Sequence, residues 1–207
     1  MLGQRKISKR RFNLDISEQE CANGIYAALK VEVANRNRRL IFNDSTKEHI
    51  LHIARWLVDC DGKPGLMLRG YVGNGKTSLL LAVINLVGFI TEEAGGYSNR
   101  KEIVFRTAKE IARMMTTEEG RNEYSKLVRT PLLAIDELGE EPAQVMVYGM
   151  IHEPLKDLLL ERYSRQLFTI VTSNLKSAQM EEKYSTRITD RFREMMEVVN
   201  FKNTSYR

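Results

Sequence analysis

Three short stretches hold side chains whose types and spacing could do chemistry. In GYVGNGKTS, four residues separate Gly70 from Gly75, and Lys76 and Thr77 follow at once, which is the spacing of a phosphate loop. Glycines let the backbone bend so that successive amides point at phosphate oxygens, and a helix starting just after adds the positive end of its dipole. Lys76 would hold the β and γ phosphates, and Thr77 would give its hydroxyl to a magnesium ion. Gly70, Val72, Gly73, Asn74, Gly75, Lys76, Thr77 and Ser78 are the candidate nucleotide contacts. In LLAIDELG, Asp136 and Glu137 close an apolar run. Carboxylates that end a buried strand are costly unless used. Asp136 is suited to hold the magnesium, and Glu137 to orient and deprotonate an attacking water. In TIVTSN, Asn174 ends another apolar run and could hydrogen-bond that water or a γ phosphate; a strand-ending turn residue is its plainer role.

These groups meet only if the elements between them bring them to one edge. GLMLRG, EIVFRT, PLLAIDE and LFTIVTSN read as strands, and they alternate with helical stretches KTSLLLAVINLVGFI, AKEIARMM and EPLKDLLLERY. Such alternation means a parallel sheet with helices packed on it, whose ligands sit at the carboxyl ends of the strands. VVNFKN offers one more strand. Pro142 and Pro154 are expected to split the segment after the third strand into two helical pieces. Ahead of this core, SEQE at Ser17 to Glu20 and STKE at Ser45 to Glu48 have the form of capping boxes. Helical spacing of Ala22, Ile25, Tyr26, Leu29 and Val33 predicts one buried stripe on the first of these helices.

At 207 residues, 43% hydrophobic and 29% charged, the chain reads as a globular protein and not a disordered one. The longest apolar run, Leu79 to Ile90, is interrupted by Asn85 and short for a bilayer span, so a cytoplasmic protein without membrane contact is expected. Cys21 and Cys60 lie far apart, without the spacing of a zinc site or disulfide framework, and read as buried thiols. Arg5, Lys6, Lys9, Arg10 and Arg11 account for the whole net charge of +5. That basic tail is either an arm for nucleic-acid phosphates or a solvated terminus. Arg36, Arg38 and Arg39 follow a helix, where they either complement its dipole or form a binding patch. A phosphate loop alone leaves kinases, GTPases and ATP-driven machines open; a small-molecule kinase would add an arginine-rich lid downstream, and none is evident.

GYVGNGKTSL, LLAIDELG, ERY at Glu161 to Tyr163, TIVTSNL, TRITDRF and the terminal SYR, in this order, resemble the AAA+ ATPases of the bacterial DnaC and DnaI helicase-loader family and the related IstB transposition ATPases. The resemblance covers Phe42 to Arg207. It implies an α/β P-loop NTPase of AAA+ type, with a parallel five-stranded sheet flanked by helices and a helical lid absent or truncated. Residues 1–41 would then be a basic tail and amphipathic helix, and 42–207 the ATPase domain. The family's roles fall on Gly73 to Thr77 for ATP and magnesium, Asp136 and Glu137 as the hydrolytic acid pair, and Asn174 as the polar sensor. Arg191 matches the arginine finger that enters a neighbouring subunit's ATP, with Arg187 as an alternative or helper. The implied activity is slow ATP hydrolysis by the monomer. The implied partners are single-stranded DNA, further copies of the chain and a replicative helicase. A transposase, or a nucleotide-binding adaptor without turnover, is the alternative. The arm before the core is either a helicase-docking module or a helix folded back on the core.

Overall fold

The computed structural model describes residues 11–96, 100–203 and 206; Arg5, Lys6, Lys9 and Arg10 of the basic tail lie outside them. Helix α1 (Glu18–Ala34) starts at the expected capping box, Ser17 with Glu20, and α2 (Asp44–Val58) follows. The second cap lies two residues earlier than expected: Asn43, not Ser45, accepts the Thr46 amide with its side chain, since a carboxamide oxygen at that position reaches the same free donor. Then come β1 (Gly65–Gly70), α3 (Lys76–Gly95), β2 (Val104–Thr107), α4 (Ala108–Met114) and α5 (Glu118–Arg129). The chain continues with β3 (Leu132–Leu138), β4 (Val145–Val147), β5 (Met150–His152), α6 (Pro154–Arg165) and β6 (Phe168–Ser173). It closes with α7 (Ser177–Tyr184), α8 (Thr186–Met195) and β7 (Met196–Phe201).

Five strands form one parallel sheet in the order β2-β3-β6-β1-β7. The strands are apolar on both faces because both are covered: Leu66 and Leu68 of β1 join the cluster with α1, α2 and α3, whereas Met67 joins the cluster with α4, α6, α7 and α8. VVNFKN is realised as β7, the edge strand beside β1. Among the described residues no helix follows β7. Helix α3 is 20 residues long and, by length and composition, apolar enough to cross a membrane; here it is a core helix between α1 and the sheet.

One reading changes, and for the arm one of the two open alternatives is realised. The segment after β3 is an antiparallel hairpin, β4 with β5, followed by one helix. Tyr148 and Gly149 at its tip both have positive φ, as a tight two-residue turn requires, and Pro154 starts α6, where its missing amide is harmless. The first helix folds back: Cys21, Ala22, Ile25 and Leu29 are buried in the same cluster as α2 and α3. Arg11 lies 4.5 Å over the Trp56 ring, and Leu14 donates its amide to the Leu57 carbonyl. Cys21 is fully buried, which pushes its thiol up to about 12; Cys60 is half-buried and not buried as expected.

Candidate functional site

Strand β1 ends at Gly70, and α3 begins at Lys76 with Gly75 as its N-cap at φ 92 and no side-chain cap. The first amides of α3 are therefore left for a ligand. Gly70 is required by packing: a β-carbon there would stand 2.5 Å from the Phe201 carbonyl of β7. Asn74, buried, ties the loop to the same strand by donating to that carbonyl at 3.2 Å. The Lys76 ammonium donates to the carbonyls of Gly70 and Tyr71, each at 2.8 Å, and to the Asn74 side-chain oxygen at 3.1 Å. Burial pulls its pKa down to about 8, with Asp136 opposing.

Strands β3 and β6 are neighbours, so the acid pair and Asn174 reach the edge where the loop lies. Asp136 is buried and accepts from the Thr77 hydroxyl at 3.1 Å and from the Thr172 hydroxyl. Glu137 is exposed and sits at φ 58, where the register between β3 and β6 shifts. Its amide donates to Thr172 Oγ1 at 2.9 Å. One threonine on β6 thus links both acids, a role that nothing in the sequence signalled until β6 was known to neighbour β3. Beyond the pair, buried Glu141 accepts from the Gly139 amide at 2.8 Å and from the Tyr184 hydroxyl, tying the loop after β3 to α7.

Above these groups lies a cleft of about 580 Å³, within the range of small-molecule sites. Val72, Gly73, Asn74, Gly75, Lys76, Thr77, Ser78, Glu137 and Asn174 line it, with Thr172 among them. Gly70 and Asp136 stand behind this lining. Thr77 and Asp136 supply hard oxygens side by side, which suits magnesium, an ion that takes one or two protein ligands and fills its shell with water and phosphate. Three features of the lining went unassigned or were read otherwise. Arg36, Arg38 and Arg39 line the cleft and lie beyond the last residue of α1, with Arg36 donating to Ser78 Oγ at 3.1 Å. Leu40 and Ile41, and Tyr206, line it as well.

Arg191 and Arg187 are outside the cleft, on α8. Arg191 stacks over Tyr163 at 5.5 Å. Its neighbouring acids are engaged elsewhere: Asp190 pairs with Arg193 and Glu194 accepts from the Tyr163 hydroxyl. Among the described residues neither Arg187 nor Arg191 pairs with a carboxylate.

A loop after β1, acids on β3 and an amide after β6, with β6 between β1 and β3, set the architecture. This is the AAA+ P-loop fold. No family model and no curated protein matches the chain, but solved AAA+ structures do. A DnaC helicase loader is similar at a TM-score of 0.60 and 21% identity, over 79% of this chain and 94% of that one. A DnaI structure is similar at 0.59 and 21%, over 86% and 94%. The replication initiator DnaA, bound to AMPPCP and single-stranded DNA, is similar at 0.55 and 18%, over 80% of this chain and 49% of that one. At these identities the likeness is one of AAA+ fold.

Proposed function

We propose that the chain is an ATP-dependent helicase-loader-type ATPase of DNA replication. The observation that carries this reading is the meeting of Lys76, Thr77, Asp136, Glu137 and Asn174 at one cleft of an AAA+ fold. The β and γ phosphates of ATP rest on Lys76 and the open amides of α3. Thr77 and Asp136 would hold magnesium, which would supply stabilisation of the charge on the transferring phosphoryl group. Glu137, exposed near the end of β3, takes the proton of the attacking water, and Asn174 orients it.

A water-attacked phosphoryl group also gains from a cation that a neighbouring copy can supply. Arg191, outside its own cleft and unpaired with acid, is the finger for a neighbouring subunit, and such a residue is worth about 10³ to 10⁵ in rate. The likeness to DnaC and DnaI structures favours a replicative helicase as partner, with single-stranded DNA bound alongside. The exposed hairpin suits DNA: Tyr148 stands 86% exposed with Arg121 at 5.3 Å over its ring, and bases stack on such side chains.

Glu137→Gln tests the reading. It should keep Mg–ATP binding and lower turnover by about a hundredfold or more, measured with DNA and assembled subunits. Unchanged turnover would remove Glu137 from the chemistry. The same trapped form should capture a hexameric helicase from native lysate; recovery of a transposase instead would establish the IstB-like alternative.

A further inference from the structure

The lining of the cleft is mixed. Beside the loop, Glu137 and Asn174 it includes the apolar side chains of Val33, Leu40 and Ile41. A ligand that matches both kinds of surface carries a polyanion joined to a flat apolar group, which is the chemistry of a nucleotide.

Tyr206, which also lines the cleft, is fastened by bonds from three directions. Its amide donates to the Gly73 carbonyl at 3.0 Å. Its hydroxyl meets Thr46 Oγ1 at 2.8 Å and donates to the Asn43 carboxamide at 3.4 Å, where α2 starts. Two atoms of its ring lie 3.5 Å from where a β-carbon of Gly75 would stand. The ring therefore spans from the phosphate loop to the first turn of α2. The 580 Å³ of the cleft remains with the side chain in this position, so Tyr206 is a wall of the site and not a plug.

We propose that Tyr206 contacts the nucleoside of the bound nucleotide, its ring packing on the base while Thr46 and Asn43 fix its angle. The proposal rests on the reading of the cleft as an ATP site. An aromatic side chain placed by a backbone bond and a side-chain bond loses little freedom when a base packs on it. The ring adds binding to any ligand that has a base and nothing to one that has only phosphates.

Calorimetric titration of wild type, Tyr206→Ala and Tyr206→Phe with Mg–ATP and with Mg–tripolyphosphate separates the two. Alanine should weaken ATP about tenfold, the scale of one base on one aromatic ring, with tripolyphosphate affinity unchanged. Phenylalanine, which keeps the ring, should stay within about threefold of wild type for both. Equal loss of both ligands in the alanine variant would make Tyr206 a mere support of the loop and overturn the proposal. No loss, or tighter ATP binding as a plug would give, overturns it as well. Wild type that takes up neither ligand would overturn the ATP reading itself, a result that variants of Tyr206 cannot mimic.

Discussion

Thr172 has one hydroxyl proton, and the geometry uses it in one sense: the hydroxyl donates to Asp136 and accepts from the Glu137 amide. That amide belongs to a residue at φ 58, a left-handed conformation that costs a non-glycine residue about 1–2 kcal/mol. Strain of this kind persists where surrounding bonds over-determine it, and here it turns the Glu137 side chain away from the sheet and into the cleft. Thr172→Val keeps the shape of the side chain and removes both bonds. Its expected effect is a fall in turnover of about ten- to a hundredfold, since small displacements of a reacting group are that costly, with Mg–ATP affinity changed by about threefold or less. Thr172→Ser should restore turnover, because it returns the hydroxyl. A valine variant with wild-type turnover would show that Glu137 holds its place without this bond.

Helix α2 meets the edge strand through His49. Its Nε2 donates to the Asn200 carbonyl at 3.3 Å, and its ring stacks on Phe201 at 3.9 Å. Burial lowers its pKa below 6.5; the Asn200 carbonyl and Glu48 oppose this and His52 adds to it. Above 6.5 the ring is neutral in folded and unfolded chains alike, and the group contributes nothing to the pH dependence. Below 6.5 the unfolded chain takes a proton that the folded one resists, so stability falls as pH drops toward the folded pKa. Urea midpoints should decline from pH 7.5 to 5.5, and His49→Gln should flatten that decline; an equal slope in the variant would place the titration elsewhere. The strands that carry the site were legible because ribbons buried on both faces read as apolar runs, and the loop, the acid pair and Asn174 each closed one. The hairpin was not: two prolines suggested interrupted helix, while the deciding residues were Tyr148 and Gly149, whose positive φ depends on tertiary context. Helix α5 carries only a short apolar stripe, Tyr124, Leu127 and Val128, in a mostly polar sequence, too little to mark it. Arg162 was equally silent. Its guanidinium, fully buried, reaches the Thr130 carbonyl at 2.7 Å and the Phe168 carbonyl at 2.6 Å, joining two turns that are distant in sequence.

On the scale of the whole molecule, Arg191 is not part of the cleft that the phosphate loop lines. The cleft opens where β1, β3 and β6 end, whereas Arg191 projects from α8 beside Tyr163. On the proposed roles, Arg191 serves the site of another copy, which calls for a head-to-tail interface between copies. The isolated chain should turn ATP over slowly, with activity rising as the concentration of subunits rises. Two inactive variants make the decisive test. Lys76→Ala has no working phosphate site but keeps Arg191; Arg191→Ala keeps the site and lacks the finger. Each alone should be silent. Mixed in equal amounts they should recover turnover, because about a quarter of randomly formed interfaces then join an intact site to an intact finger. Recovery should require protein concentrations at which subunits associate and should disappear on dilution. A mixture as silent as its parts, in subunits that demonstrably associate, would place both residues in one copy's site and withdraw the finger from Arg191, leaving Arg187 as the candidate for the same experiment.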